Sequence, residues 1–274
     1  MTRDSRPRRK INWFKYAPPM RFYPLAGRMV PWFATAALVL GVIGLFIGFA
    51  VAPTDAQQGD AYRIIFLHVP AAWLSMIIYL ALAFWAALGL IFNVRLAAMM
   101  ASALAPTGAL MTFIALWTGA LWGKPTWGTW WVWDARLTSE LILLFLYLGL
   151  MSLHAAIDDA RRADRATAVL ALVGVVNVPI IYFSVQWWNT LHQGASVSLT
   201  SAPSIATPML AGMLITTLAV WAYCIAVVLM RVRVIILGRE RHAAWAEEVM
   251  GGTRSGSGPR VTYQNASLGS RKPT

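Results

Sequence analysis

The chain has 274 residues, of which 58% are hydrophobic and only 12% charged, with a mean hydropathy of +0.59 and a formal net charge of +12. A soluble protein of this length could bury a good core, but it would need far more charge on its surface. The composition therefore makes the bilayer the solvent and the fold class an all-α membrane protein.

A span needs roughly 20 mostly apolar residues to cross a hydrocarbon core of about 30 Å. Residues 1–30 are too basic and too rich in proline for that, and read as a cytoplasmic or interfacial N-terminal segment. The first apolar run, 31–52, is longer than the roughly 7–15 residues of a cleaved signal core, so it reads as a retained span. Five more follow at 64–92, 97–121, 137–157, 166–187 and 205–232. Each is continuous rather than alternating, which favours helices over barrel strands. The expected architecture is a six-helix transmembrane bundle over 31–232, with a cytoplasmic tail at 233–274 that is disordered after 250. Pro106 is expected to interrupt the third span, and Asn177 with Pro179 the fifth. The single cysteine, Cys224, lies inside the last span, so no intramolecular disulfide is available.

Charge orients the bundle. Twenty of the 23 Lys and Arg residues fall before the first span, at Arg95, in the DDARRADR segment, or after Met230. With six spans these segments share one side, so both termini are cytoplasmic by the positive-inside rule. The other side keeps Arg63, Lys124 and Arg136. The basic residues flank spans and form no separate domain, which argues against nucleic acid as a partner.

That outer face also carries WGTWWVWDARLTSE, residues 127–140. Trp117, Trp122, Trp127, Trp130, Trp131 and Trp133 gather there, and Trp187 and Trp188 follow span five. An aromatic belt places Trp at both interfaces of a membrane protein, but it scatters one or two rings per span end. So dense a cluster supplies a broad π surface with indole N–H donors, suited to a flat, hydrophobic, anionic ligand. In a helical register Trp127, Trp130, Trp131 and Asp134 would share a face; in an extended one, Trp127, Trp131 and Trp133 would. Asp134 stands where the N-cap of span four belongs. Glu140 follows Arg136 at the spacing of an i,i+4 pair.

Of the four histidines, His154 and His242 belong to the cytoplasmic side. His68 sits about 7.5 Å below the outer end of span two at 1.5 Å per residue, and His192 lies in the loop after span five. Two imidazoles without clustered thiolates or carboxylates support a zinc or calcium cage poorly. They suffice for the axial positions of haem iron, because the porphyrin supplies the other donors. Arg63, Lys124 and Arg136 could then pair with two propionates. From the residues alone, a haem platform and a plain aromatic interface both stay open.

The run WGKPTWGTWWVWDARLTSELILLFLYLGL resembles the tryptophan-rich WWD signature of membrane haem-handling proteins. With FLHVPAAW before it and VVNVPIIYFSVQWWNTLHQG after, residues 20–240 closely resemble the haem exporter protein C family of cytochrome c maturation. The resemblance implies a six-helix bundle in the bacterial inner membrane with the signature (122–135) on the periplasmic face. It implies that His68 and His192 ligate iron of a transient haem b. It also implies that Trp122, Gly123, Trp127, Gly128, Trp130, Trp131, Trp133 and Asp134 meet haem and its acceptor. The implied partners are a periplasmic haem chaperone, a small one-span membrane subunit and an ATP-binding-cassette complex. The implied role is haem presentation for covalent attachment on the chaperone, so the chain is expected not to be an enzyme itself. A secondary transporter would instead show ionisable groups at mid-membrane, and a structural haem-b subunit would hold its haem deeper between spans.

Overall fold

A computed structural model describes residues 15–192, 197 and 205–252. Two compact units divide at Ile236 and Leu237. Among the described residues, six stretches are long and apolar enough to cross a membrane: Pro19–Val51, Asp60–Phe92, Arg95–Trp127, Ala135–Ala155, Ala160–Trp187 and Thr207–Arg239. The helices are α1 (Pro19–Phe46), α2 (Ile65–Phe92), α3 (Arg95–Trp127), α4 (Ala135–Ala155), α5 (Ala160–Gly174), α6 (Asn177–Trp187) and α7 (Thr207–Arg239). Within the second unit lies a short helix, α8 (Ala244–Gly252).

The first span begins well before residue 31. Pro18 is extended and Pro19 occupies the first helical turn, where a missing N–H costs nothing and the ring presets the backbone. Pro24 and Pro31 are then absorbed inside the helix. The same prolines and bases had hidden this stretch in the hydropathy. The span ends in a π-helical turn, Ile47–Val51.

Asn93 adopts a left-handed conformation (φ 53°) after α2. Asn tolerates that region better than branched residues, so the chain reverses within two residues and α3 returns beside α2. Ala71, Ala72 and Ala115 are buried together between the two helices, and side chains this small let backbones approach closely. At 33 residues, α3 is about 50 Å long at 1.5 Å per residue, well beyond the hydrocarbon thickness. Pro106 does not interrupt it.

The fifth span does break, as expected from Asn177 and Pro179. Pro179 has no N–H to offer the carbonyl of Val175, which accepts from Val178 N at 3.1 Å instead. Asn177 fastens the restart: its Nδ2 donates to the carbonyl of Ser139 on α4 at 2.9 Å.

Candidate functional site

The start of α2, the end of α3, the start of α4 and the segment that follows α6 meet at one end of the bundle around a cavity of about 440 Å³. Its wall includes His68, Trp122, Trp127, Trp131, Arg136, Glu140 and His192.

A 3-10 turn, Asp60–Ile64, leads into α2 and sets His68 in its opening turns. The ring is buried; Nδ1 lies 3.0 Å from Thr118 Oγ1 on α3, and the Trp122 ring meets it edge-on at 5.5 Å. Trp122 is in turn fixed by Tyr62, edge-on at 5.6 Å, and its Nε1 donates to Gln58 Oε1 at 2.7 Å. Beneath it Phe66, Met209 and Met213 belong to the same buried cluster.

The tryptophan segment follows neither expected register. Helix α3 runs on through Pro125 to Trp127 and stops at Gly128, whose φ of 77° suits a residue without Cβ. Residues 128–134 are irregular. The helix thus carries Trp122 and Trp127, while Trp130, Trp131 and Trp133 project from the connection. Gly123 is small for a separate reason: a Cβ there would lie 2.9 Å from the Trp127 ring.

The six indoles consequently divide. Trp122, Trp127 and Trp131 line the cavity. Trp117, Trp130 and Trp133 are exposed, Trp133 at 78%. Trp133 meets Trp131 edge-on at 5.5 Å, and Lys124 Nζ stands 5.9 Å from the Trp130 ring. Trp187, exposed at the end of α6, stacks on Phe183 at 5.0 Å. The Nε1 of Trp131 is buried without a hydrogen-bond partner among the described residues.

Asp134 is the N-cap of α4, as its position predicts, with Oδ1 accepting from Leu137 N at 2.8 Å. Its other oxygen accepts from the hydroxyl of Thr190. Thr190 Oγ1 also accepts from His192 N at 3.1 Å, so the two segments share one hydrogen-bonded corner. His192 faces His68 with ring centroids 6.2 Å apart and planes inclined by 35°. Trp127 stands 6.2 Å from His192.

The expected i,i+4 pair does not form. Arg136 donates to the carbonyl of Ile181 at 2.8 Å, and Glu140 accepts from Ser75 Oγ at 2.7 Å. Both still border the cavity. The other two cations are engaged elsewhere. Arg63 pairs with Asp60 at 2.9 Å and donates to the Gly48 carbonyl at 2.6 Å, bracing the 3-10 turn before α2 against the π-helical turn after α1. Lys124 donates to the Gly128 carbonyl at 3.2 Å. At the opposite end of α4, His154 pairs with Asp164 at 3.2 Å. Gln58 and Thr118 escaped the sequence reading because no motif marks them; only their distance from Trp122, in space for one and in sequence for the other, gives them away.

Fold and site together define a multi-pass helical membrane protein with an aromatic cavity at one end, bordered by two facing imidazoles. Comparison with known proteins narrows this class. The family profile described as "Heme exporter protein C" matches residues 12–247. The protein of that name from Escherichia coli (strain K12) is 49% identical over 238 residues, covering 85% of this chain and 94% of the relative. Its namesake from Bradyrhizobium diazoefficiens is 52% identical over 204 residues, 74% of this chain and 77% of the relative. That of Paracoccus denitrificans is 41% identical over 239 residues, 87% of this chain and 99% of the relative. The chain belongs to the heme exporter protein C family.

Proposed function

We propose that this protein holds haem at the periplasmic face of the inner membrane and presents it to a haem chaperone during cytochrome c maturation. The observation that carries this reading is the pair of imidazoles, 6.2 Å apart, on a cavity walled by Trp122, Trp127 and Trp131. Two imidazoles gripping one metal from opposite sides have centroids on the order of 6 Å apart, given metal–nitrogen bonds of about 2 Å. A cavity of about 440 Å³ falls within the roughly 300–1,000 Å³ range of small-molecule sites. The donor set therefore fits haem as cargo.

In this reading His68 and His192 take the axial positions and the three cavity indoles shield the porphyrin. Arg136 is placed to meet a propionate. Arg63 and Lys124 act at the rim, after leaving Asp60 and Gly128 respectively. Trp130 and Trp133, exposed at 53% and 78%, are the surface offered to the chaperone. Haem itself supplies the vinyl group to be modified; the protein binds, orients and releases it. Covalent attachment takes place on the chaperone, which leaves this chain a presenting factor. An ATP-binding-cassette pair and a small one-span subunit complete the complex. Both termini lie in the cytoplasm, as the basic segments argue, with the residues before Pro19 and after Arg239 outside the six-span haem-handling domain.

The test is the pyridine-haemochrome spectrum of protein purified from membranes. Wild type should carry b-type haem with a bis-histidine spectrum, and His68→Ala and His192→Ala should each lose it. Unchanged haem content and spectrum in both variants would overturn the assignment.

A further inference from the structure

His68 has two ring nitrogens, and only the one left without a proton can bind a metal. Which one that is follows from Thr118. The Thr118 hydroxyl oxygen lies 2.6 Å from the carbonyl oxygen of Ile114, one helical turn back. Two oxygens approach so closely only with a hydrogen between them, and a carbonyl has none to give. The hydroxyl proton is thereby committed to Ile114. At 3.0 Å from His68 Nδ1, the same oxygen can then only accept, and that distance is typical of N–H···O. His68 must carry its proton on Nδ1, which leaves Nε2 with a bare lone pair. The ring has little freedom to turn over: Trp122 meets it edge-on at 5.5 Å, and a Cβ on Gly119 would lie 3.2 Å from its Cε1.

We infer that Thr118 is a positioning residue for the proposed haem site, fixing His68 as the Nδ1–H tautomer so that Nε2 is ready to bind iron. The inference rests on the haem reading for its purpose but not for its geometry. Hydrogen-bond partners of this kind orient metal-binding imidazoles and make them more basic. Here the partner is a neutral hydroxyl already bonded to the backbone. It sets the tautomer without building up negative charge on the ring, which suits a ligand that must later let go.

The test begins with haem-free protein labelled with ¹⁵N-histidine in detergent, the His68 signals being those absent from His68→Gln. Wild type and Thr118→Ser should show the Nδ1–H tautomer, and Thr118→Val a mixture or the Nε2–H form. Wild-type His68 protonated on Nε2 overturns the inference even if the valine variant fails to fold. An unchanged tautomer in a folded Thr118→Val overturns it as well. In haem titration Thr118→Val should bind about 10-fold more weakly, with a shifted reduction midpoint, and Thr118→Ser should restore both. Absence of haem binding by wild type sinks the haem reading while leaving the tautomer result to decide Thr118. Equal haem affinity and midpoint in wild type and Thr118→Val removes the positioning role.

Discussion

Asp134 serves two segments at once: one carboxylate oxygen caps α4 through Leu137 N, and the other accepts from the hydroxyl of Thr190. The loop carrying His192 is thereby moored to the connection carrying Trp131. The two jobs separate by substitution. Asparagine caps a helix about as well as aspartate, but it has one acceptor oxygen instead of two. Asp134→Asn should keep the melting temperature within about 2–4 °C of wild type, the shift of roughly 1 kcal/mol in a chain of this size, while haem affinity falls several-fold. Thr190→Val should do the same. The double variant should lose less than the two single losses combined, because residues in one hydrogen-bonded pair are not additive. Fully additive losses would mean that the contact does not hold the loop.

Trp131 presents a buried indole nitrogen without a partner among the described residues. A bound anionic or carbonyl-bearing group is the natural acceptor. Trp131→Phe keeps an aromatic surface and removes the N–H, so it should weaken haem binding by roughly the 0.5–1.5 kcal/mol of one hydrogen bond. Trp133→Phe, at an exposed ring, should leave haem affinity unchanged and reduce transfer to the chaperone. Equal effects of both on haem titration would dissolve the division between cavity and surface indoles.

Gly123 leaves room for the Trp127 ring. Gly123→Ala should push that ring off the cavity wall, at the roughly 1–3 kcal/mol typical of overpacking, with quenching or a shift of tryptophan emission on haem binding altered. If the fluorescence response and thermal stability both matched wild type, the close approach would carry no functional weight.

Orientation is accessible through Cys224, which is buried and replaceable by alanine. In that background Thr129→Cys, beside the exposed indoles, should react with an impermeant maleimide added to spheroplasts. Asp159→Cys, at the N-cap of α5, should react only after lysis. The reverse pattern would invert the topology drawn from Lys and Arg counts.

The spans were legible because apolar length acts over many residues, and with six spans counted the meeting of His68 and His192 at one end of the bundle followed. Asp134 was legible too, since an N-cap is local chemistry. The course of the tryptophan segment was not. Pro125 and Gly123 look like breakers in sequence, yet Pro125 lies within the last turns of α3, and only Gly128 stops it. The Arg136–Glu140 pair failed for the opposite reason. The spacing was right, but partners on other helices, the Ile181 carbonyl and Ser75, took both side chains first. Long-range competition of this kind leaves no mark in a helical repeat.

The break at Val175 and Val176 divides the fifth span into α5 and a shorter piece, α6, that ends at Trp187. Asn177 and Arg136 clamp α6 to α4, and only five residues run from its end to His192. Fully extended, those residues reach roughly 17 Å, more than twice the 6.2 Å between the imidazoles. One jaw of the grip is thus bolted to a helix and the other hangs on a short leash. If the two imidazoles grip haem as proposed, releasing the Thr190–Asp134 contact would slacken the leash and let the cargo go with every transmembrane helix left where it stands.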